Sequence, residues 1–297
     1  AAVARLQEAF DDEHGGWGGA PKFPQPMALE FLLRRHHSTG ESTLLAMVTQ
    51  TLEAMARGGL YDQLGGGFHR YAVDGRWATP HFERMLYDNA QLARVYLHAW
   101  QVTGTPFFRT VTEEILDYVA HEMTDPRGGF FSTQDADSEG QEGKYYLWQP
   151  AEIRAVLGEE AERFMAAYGV SKAGNFDGQN ILTLVGSLEE RAALAPARKK
   201  LLAVRGQRVP PGRDDKVLTS WNGLMLAAFA EAARVLHRED YRGVAEKNAG
   251  FLLHEMRRED GRLWRTWQGS GGGGQGATGR VPGYLEDYTH LIEGLVE

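Results

Sequence analysis

The segment from Gly65 to Leu92 carries acids, bases and aromatic rings at a density that a connecting loop does not need. It leads into a helix that is predicted to begin near Tyr87, so its polar groups gather around a helix N-terminus. Unpaired backbone N–H groups at such an end attract polar ligands. Because polar loops mounted on rigid helices commonly carry function, this segment is the first candidate for a functional site.

Two kinds of reaction fit the residues of this segment and of later loops. Sugar epimerisation needs two proton-transfer groups beside one carbon, and histidines such as His69, His81 and His290 suit that task. Glycoside hydrolysis needs two carboxyl groups on opposite faces of a sugar. The available acids are Glu83, Asp88, Asp135, Asp137, Asp214, Asp215, Glu286 and Asp287. Epimerase- or isomerase-like proton transfer is slightly favoured, and the expected acid–base groups are His81, Glu83, Asp135 and Asp137.

A second set of residues is expected to bind the substrate. Tryptophan and tyrosine rings can stack on sugar rings, and amides, acids and arginines can hydrogen-bond hydroxyl groups. This set is His69, Arg70, Trp77, Tyr87, Asp88, Asn89, Asp214, Asp215, Trp221, Asn222, Asp287 and Tyr288.

Each of these residues also has an ordinary structural interpretation. Loop histidines often hydrogen-bond backbone, tryptophans often pack in cores, and loop arginines often pair with nearby acids. Asp88 and Asp287 lie at matching places in two repeats, where they could serve as helix N-caps. The run from Arg213 to Lys216 could neutralise itself internally. Both interpretations remain open at this point.

No metal and no cofactor are expected. The run Asp135–Gly140 (DADSEG) resembles the start of a calcium loop, but its twelfth position is Tyr146 instead of a bidentate Glu. Phosphate-binding loops and G-x-S-x-G elbows are absent from the sequence, and there are 0 cysteines to hold a metal or act as nucleophile. The favoured interpretation of Asp135–Gly140 is a hydrogen-bonded loop whose acids are directed at sugar hydroxyls.

Composition limits the possible partners. The chain has 297 residues, a net charge of −8 and a pI near 5.7, which argues against nucleic acid as a main partner. No apolar run approaches the roughly 20 residues of a membrane span, so no membrane partner is expected. The absence of cysteine is consistent with a cytoplasmic protein.

Helical periodicity dominates the sequence. Apolar residues recur at spacings of three and four in Leu45–Met55, Phe108–Val119 and Leu224–Leu236. Paired helices closed by a Gly-Gly-aromatic turn return at a period of about 40 residues, which is typical of helical repeat arrays. The best strand signals are Lys144–Trp148 and Ile181–Val185, a charged helix is expected over Leu188–Arg205, and Gly269–Gly279 reads as a loop.

The density of polar and aromatic residues in the opening turns favours a closed ring of helical hairpins over an open superhelix. In a ring, the inner helices all start at one rim, so their opening turns would converge on one pocket. The sequence therefore predicts a mainly α fold, a closed toroid of helical hairpins, with one central pocket where the opening turns meet.

Several long motifs together resemble one protein family, the YyaL-type proteins related to spermatogenesis-associated protein 20. The motifs stand in the family's order and cover essentially the whole chain: GGWGGAPKFP (15–24), GGLYDQLGGGFHRYAVDGRW (58–77), PHFERMLYDNAQL (80–92), GGFFSTQDADSEGQEGKYYLW (128–148), RDDKVLTSWNGLM (213–225) and GYLEDY (283–288). The resemblance implies an (α/α)6 toroid of the six-hairpin glycosidase class, similar to N-acylglucosamine 2-epimerase and cellobiose 2-epimerase. It also implies a central cavity that binds a carbohydrate or similar polyol.

The resemblance also implies a domain organisation. Members of the family carry a thioredoxin-like domain before the toroid, so residues 1–297 are expected to be one toroid domain that lacks that domain and its own last hairpins. A competing function follows: the toroid would be a non-catalytic recognition platform that partners the thioredoxin-like domain in redox or protein-quality work. Catalysis predicts two titratable groups roughly 5–10 Å apart across a cavity, whereas a platform predicts acids already paired to arginines.

Overall fold

The computed structural model describes residues 1–269 and 278–297. The described helices are α1 Ala2–Glu8, α2 Pro26–Thr39, α3 Ser42–Arg57, α4 Leu86–Thr103, α5 Pro106–Glu122, α6 Pro150–Leu157, α7 Ala161–Ala167, α8 Leu188–Ala193, α9 Ala195–Arg205, α10 Thr219–Leu236, α11 Glu239–Glu255 and α12 Leu285–Val296. The mainly α fold built of helical hairpins is confirmed.

The strands are short and lie before or between helices. They are β1 Tyr71–Ala72, β2 Pro80–His81, β3 Arg84–Met85, β4 Thr133–Gln134, β5 Asp137–Ser138, β6 Gln141–Glu142, β7 Arg213–Asp214, β8 Lys216–Leu218, β9 Trp264–Gln268 and β10 Thr278–Pro282. Four antiparallel groups result, in the orders β1-β2, β3-β4-β7, β5-β6 and β10-β9-β8.

The chain divides into two compact units. Unit 1 is Ala1–Glu83, His98–Val111 and Asp135–Gly212, and unit 2 is Arg84–Leu97, Thr112–Gln134 and Arg213–Glu297. Within the described residues, none of the helices combines the length and the apolar character that crossing a bilayer requires.

Unit 1 is organised by the hairpin α2–α3 and by a separate apolar cluster. Val48, Leu52 and Met55 on α3 are fully buried, as their spacing predicted. Helices α6, α7 and α9 pack their apolar faces around Trp148. This packing holds the loops between the helices in fixed positions, including those that carry the candidate site.

Unit 2 is organised by α10, which is buried along most of its length, as its apolar circumference predicted. Helix α12 packs closely on it through two glycines. A Cβ on Gly223 would lie 2.5 Å from the carbonyl carbon of His290, and a Cβ on Gly294 would lie 2.7 Å from the oxygen of Gly223. Because such distances are too short for a methyl group, both positions need glycine for the helices to meet.

Three sequence expectations require correction or limitation. Lys144–Trp148 and Ile181–Val185 are not strands, since a single bridge joins Trp148 to Asn180 and the apolar side chains instead fill core clusters. The helix expected over Leu188–Arg205 is two helices, α8 and α9, that meet around Leu194, where Pro196 near the start of α9 cannot donate a helical N–H. Most of the Gly269–Gly279 tract, residues 270–277, lies outside the described residues.

Candidate functional site

His81 is presented by strand β2 in unit 1. Its strand pairs with β1 so that Tyr71 lies directly opposite His81, and the two rings stack with centroids 5.0 Å apart and planes 25° apart. The side chain of His81 keeps 28% of its surface exposed. The imidazole is thus held in one orientation and is still accessible to a ligand.

Two carboxylates contact the nitrogens of His81. Nδ1 lies 2.7 Å from Oε1 of Glu142, and Nε2 lies 3.8 Å from Oε2 of Glu83. When His81 is neutral, donation from Nδ1 to Glu142 leaves Nε2 as the proton acceptor. The arrangement can therefore take up a proton at Nε2 and stabilise the resulting imidazolium from both sides.

Glu142 is placed by the hairpin of β5 and β6. The turn uses Gly140, whose φ of 73° is left-handed, and Gly143 follows the hairpin with a φ of 75°. A Cβ on Gly143 would lie 2.5 Å from the ring of Phe82, so only glycine lets the hairpin approach β2 this closely. The hydroxyl of Ser138 donates to the oxygen of Val209 at 2.6 Å and anchors the hairpin.

Of the two predicted aspartates, Asp137 is the one placed beside this arrangement. It lies directly opposite Glu142 in the β5–β6 register. Opposed residues of an antiparallel pair point to one face with Cβ atoms about 4.5–5.5 Å apart, so the Asp137 carboxylate shares the face of Glu142. Asp135 is exposed and accepts the N–H of Ala136 at 2.7 Å.

Arg70 and Glu83 form an ion pair at this surface. The guanidinium donates to Oε2 of Glu83 at 2.9 Å, and the N–H of Arg70 donates to the oxygen of Glu83 at 2.8 Å. Glu83 thus contacts both Arg70 and His81. We call His81, Glu83, Glu142, Arg70 and Tyr71 the His81 cluster.

His69 and Trp77 were predicted to contact the substrate, but both are buried. The Nδ1 atom of His69 lies 2.8 Å from the oxygen of Phe82, and the Trp77 indole donates to the oxygen of His14 at 2.9 Å. Each side chain has no more than 1% of its surface exposed. At this burial neither ring can stack on a sugar. His69 instead holds the backbone at Phe82, next to β2, and Trp77 holds the backbone at His14.

Asp74 fixes the turn between β1 and β2. Its carboxylate accepts the N–H groups of Arg76 and Thr79 at 2.7 Å each and that of Ala78 at 3.2 Å. Partial burial alone would raise the pKa of Asp74, but these backbone donors outweigh burial and lower it.

A small cavity adjoins Phe82. Its lining includes His69, Tyr146, Gln63 and Arg205, and its interior is about 20 Å³ when measured by the centre of a water-sized sphere. That is room for one or two water-sized groups, which excludes a sugar ring.

A buried ion pair forms part of the lining of this cavity. Arg205 donates twice to Asp62, at 2.7 Å from each terminal nitrogen. Burial opposes the charge of Arg205, but the Coulombic attraction and hydrogen bonds of Asp62 outweigh it and raise the pKa of the guanidinium. The pair stays ionised and holds the start of the 62–69 loop to α9.

In unit 2, the starts of three helices come together. The rings of Tyr87 on α4 and Trp221 on α10 lie 4.8 Å apart. Asp287 on α12 accepts the N–H of Ser220 at 3.0 Å and that of Tyr284 at 2.8 Å, and Arg265 lies 3.4 Å from it. We call Tyr87, Trp221, Ser220, Asp287 and Arg265 the helix-start cluster.

Most predicted site residues of unit 2 serve the backbone. Asp287 is fully buried and caps α12, which fits the structural interpretation of this acid. Asn222 accepts the N–H of Phe130 at 2.8 Å and donates to its oxygen at 3.0 Å. Asn89 donates to the oxygen of Met85 at 3.0 Å, and the Tyr288 hydroxyl accepts the N–H of Leu263 at 3.1 Å.

The remaining predicted acids of unit 2 are placed as follows. Asp88 is buried in the first turn of α4. Asp214 and Asp215 are exposed and pair with cations of their own run, Lys216 at 3.2 Å and Arg213 at 2.6 Å. The run from Arg213 to Lys216 therefore does neutralise itself, as one interpretation of the sequence held.

Two residues of the His81 cluster, Glu142 and Tyr71, were missed by sequence reasoning. Glu142 stands 61 positions from His81, so spacing gives no hint of their contact. The available signal was the pair Gly140 and Gly143, which frames a tight hairpin. In the part of the chain that the structure describes, no group of three or more His, Cys, Asp or Glu residues could hold a metal ion.

Curated relatives match the chain over nearly its full length. Spermatogenesis-associated protein 20 of Rattus norvegicus is 39% identical over 99% of this chain and 43% of its own length. The human protein of the same name is 38% identical over the same shares, and an uncharacterized protein of Caenorhabditis elegans is 31% identical over 98% of this chain and 46% of its own. The chain thus spans less than half the length of these relatives.

Solved structures resemble the chain in fold. An unsaturated glucuronyl hydrolase from Bacillus sp. GL1 has a TM-score of 0.49 and 12% identity, over 82% of this chain and 48% of that one. Cellobiose 2-epimerase from Bacillus thermoamylovorans has a TM-score of 0.42 and 11% identity, over 98% and 95%. A search of family models found no match. The resemblance read from the motifs is confirmed, and the chain is homologous to a segment of spermatogenesis-associated protein 20.

Proposed function

We propose that the His81 cluster binds a carbohydrate or similar polyol and moves a proton between its carbonyl carbon and the carbon beside it. The observation that carries this proposal is the imidazole of His81, which is 28% exposed and contacted by carboxylates at both nitrogens. Such an imidazole can remove a proton from carbon at Nε2 and return it. Arg70, Glu83 and Asp137 supply charged groups that hydrogen-bond sugar hydroxyls.

The geometry favours isomerisation over two-faced epimerisation. Nε2 of His81 and Oε2 of Glu83 are 3.8 Å apart, so both reach a substrate from the same side. In an aldose–ketose isomerisation, His81 takes the C2 proton and the electron pair forms an enediolate. Glu83 carries the O2 proton to O1, and His81 returns the proton to C1. Inversion at one carbon would instead need a second group on the opposite face.

Glycoside hydrolysis is supported less well by the same contacts. A hydrolase keeps one carboxyl protonated and the other ionised on either side of the scissile bond. Here Glu83 and Glu142 both contact one imidazole, and Glu83 also pairs with Arg70 at 2.9 Å. Both carboxylates therefore lie beside one imidazole, whereas hydrolysis needs one carboxyl group on each face of the sugar.

The test is deuterium exchange from solvent. The protein is incubated in D2O with glucose, mannose and fructose, and NMR follows label at C1 and C2 together with sugar interconversion. His81→Asn keeps the shape of the residue and removes the base, so we expect exchange to stop. His37→Asn, an exposed histidine on α2, is the matched control. Exchange that persists in His81→Asn, or its absence with every sugar in the unaltered protein, would contradict the proposal.

A second function is supported by the pairing of the acids. Glu83, Asp214 and Asp215 each contact Arg or Lys, as a non-catalytic recognition platform predicts. In that case a thioredoxin-like domain is the expected partner. Calorimetric titration with such a domain tests it: binding that survives His81→Asn and weakens in Asp214→Lys, with no response to sugars, would favour the platform.

A further inference from the structure

The cavity that adjoins Phe82 is lined by two residues with unsatisfied polar atoms. Oε1 of Gln63 and Nε of Arg205 are buried, and neither atom has a hydrogen-bond partner among the described residues. Both residues line the cavity, and every side chain that lines it is buried. Because a buried polar atom without a partner destabilises the folded state, two of them at one cavity point to a bound group.

The orientation of the Gln63 amide is fixed by its own donors. Nε2 donates to the oxygens of Ala56 and Gly58, at 3.0 and 2.9 Å, which uses both hydrogens of the amide. Rotation of the amide by 180° would bring Oε1 against these two carbonyl oxygens, where it has no donor to accept from. Oε1 is therefore an acceptor, and its donor has to come from the cavity.

Nε of Arg205 has the opposite requirement. The two terminal nitrogens of this guanidinium donate to Asp62 at 2.7 Å each. An arginine side chain remains protonated in proteins, so Nε keeps its hydrogen and needs an acceptor. A group that satisfies both Nε of Arg205 and Oε1 of Gln63 must accept one hydrogen bond and donate another.

We propose that the cavity is a binding site for one water molecule, which accepts from Nε of Arg205 and donates to Oε1 of Gln63. The interior of about 20 Å³ exceeds the roughly 10–15 Å³ that one water needs. Among groups of that size, a metal or ammonium cation cannot accept from Arg205, and a halide cannot donate to Gln63. The bound water joins the loop that follows α3 to the last residue of α9, and this role is independent of the proposed function.

NMR of the unaltered protein tests this site directly. The Nε–H of Arg205 should give a dipolar cross-peak to water, which opposite signs in NOE and ROE spectra distinguish from proton exchange. Arg198 is the internal control, because it is also buried but its Nε donates to the oxygen of Gln63 at 2.7 Å. A carbonyl already satisfies that N–H, so we expect no water cross-peak at Arg198.

A variant then tests the second hydrogen bond of the water. Gln63→Met keeps the length of the side chain and removes the acceptor, so we expect the water cross-peak at Arg205 to disappear. Gln50→Met, at an exposed position on α3, is the matched control and should leave the cross-peak unchanged. Thermal melting shows whether each variant is folded.

Three results would overturn the inference. The first is the absence of a water cross-peak at Arg205 in the unaltered protein, and the second is an equal cross-peak at Arg198. Neither of these measurements needs a variant, so both decide the matter even if Gln63→Met does not fold. The third is a cross-peak at Arg205 that persists in folded Gln63→Met, which would show that Gln63 does not hold the water.

Discussion

The His81 cluster and the helix-start cluster contain the same kinds of residue but use them differently. In the first, Glu83 and Glu142 contact a histidine that is 28% exposed. In the second, Asp287 is fully buried and accepts two backbone N–H groups at 3.0 and 2.8 Å. The helix-start carboxylate has little capacity left for a ligand, whereas the carboxylates around His81 are reachable from solvent.

The difference shows that the backbone partners of an acid decide its role more than its place in a motif. A carboxylate at a helix start is captured by N–H groups that have no partner within the helix. A carboxylate on a short hairpin such as β5–β6 meets few such donors, because the strand N–H groups already pair across the hairpin. The β5–β6 hairpin thus leaves the side chain of Glu142 44% exposed, whereas the start of α12 leaves that of Asp287 0% exposed.

The largest expected effect is on the rate of solvent exchange, and it tests which of the two clusters carries the reaction. His81→Asn should lower the rate of solvent exchange into sugar by about 10²–10⁴-fold, since it removes the proton-transfer group. Trp221→Phe, which keeps an aromatic ring beside Tyr87, should lower it less than about tenfold. Both are measured by NMR under saturating sugar. The reverse ranking would move the reaction to unit 2.

The next effect concerns stability in unit 2. Asp287→Ala leaves the N–H groups of Ser220 and Tyr284 without their acceptor and Arg265 without one of its two acidic partners. We expect a loss of about 2–4 kcal/mol in the free energy of unfolding, measured by urea titration. Asp215→Ala, at an exposed ion pair, should cost less than about 1 kcal/mol and is the control. Similar costs for both would mean that burial does not separate the two kinds of acid.

The helices could be predicted from the sequence, but the strands could not. The segments Leu45–Met55, Phe108–Val119 and Leu224–Leu236, which apolar periodicity predicted to be helical, lie in α3, α5 and α10, because that periodicity is a local pattern. The prediction of strands at KYYLW and ILTLV was wrong. The apolar side chains of these runs pack in core clusters, and a short apolar run does not show which segment it would pair with in a sheet. Whether a short apolar run pairs is decided by distant segments.

The candidate site was predicted only in part. His81 and Glu83 were identified because both lie in one polar segment and differ by two positions. Glu142 was missed because its contact with His81 is made by a hairpin far along the chain. Trp77 and Asn222 have residue types that suit sugar binding, but they are 0% exposed. Burial depends on the whole fold, so residue type alone does not separate a ligand contact from a core contact.

Asp74 in unit 1 resembles Asp287, because its carboxylate also accepts backbone N–H groups. Asp74 has backbone donors on both carboxylate oxygens, which lower its pKa. Because the folded pKa is depressed, its contribution to stability is present above the ordinary Asp pKa of about 3.9 and is lost as pH falls through the folded value. Asp74→Asn should cost about 1–2 kcal/mol at pH 7, and the cost should vanish in strong acid.

Urea unfolding of both proteins at pH 7, 5, 4 and 3 measures this. An equal gap between wild type and Asp74→Asn at every pH would show that the charge of Asp74 is immaterial. A gap that closes on acidification would show that partners, and not membership of a unit, determine whether an acid is structural.

The smallest effect is expected for Arg70 and Glu83. Their side chains are 39% and 24% exposed, and such pairs contribute about 0.2–1 kcal/mol. A double-mutant cycle with Arg70→Ala and Glu83→Ala, followed by urea unfolding, gives the coupling. A coupling above that range would class Glu83 with the structural acids and weaken its assignment to proton transfer.

The contact between Gly223 and Gly294 has a consequence for the final helix of the described chain. With backbone against backbone, α12 can be seated at one depth and one rotation only. One added methyl group at either position would lift α12 away from α10 and draw the carboxylate of Asp287 away from the N–H of Ser220 at the start of α10. Gly223→Ala and Gly294→Ala, the smallest possible side-chain additions, are therefore among the most damaging substitutions in unit 2, although neither glycine has a reactive side chain.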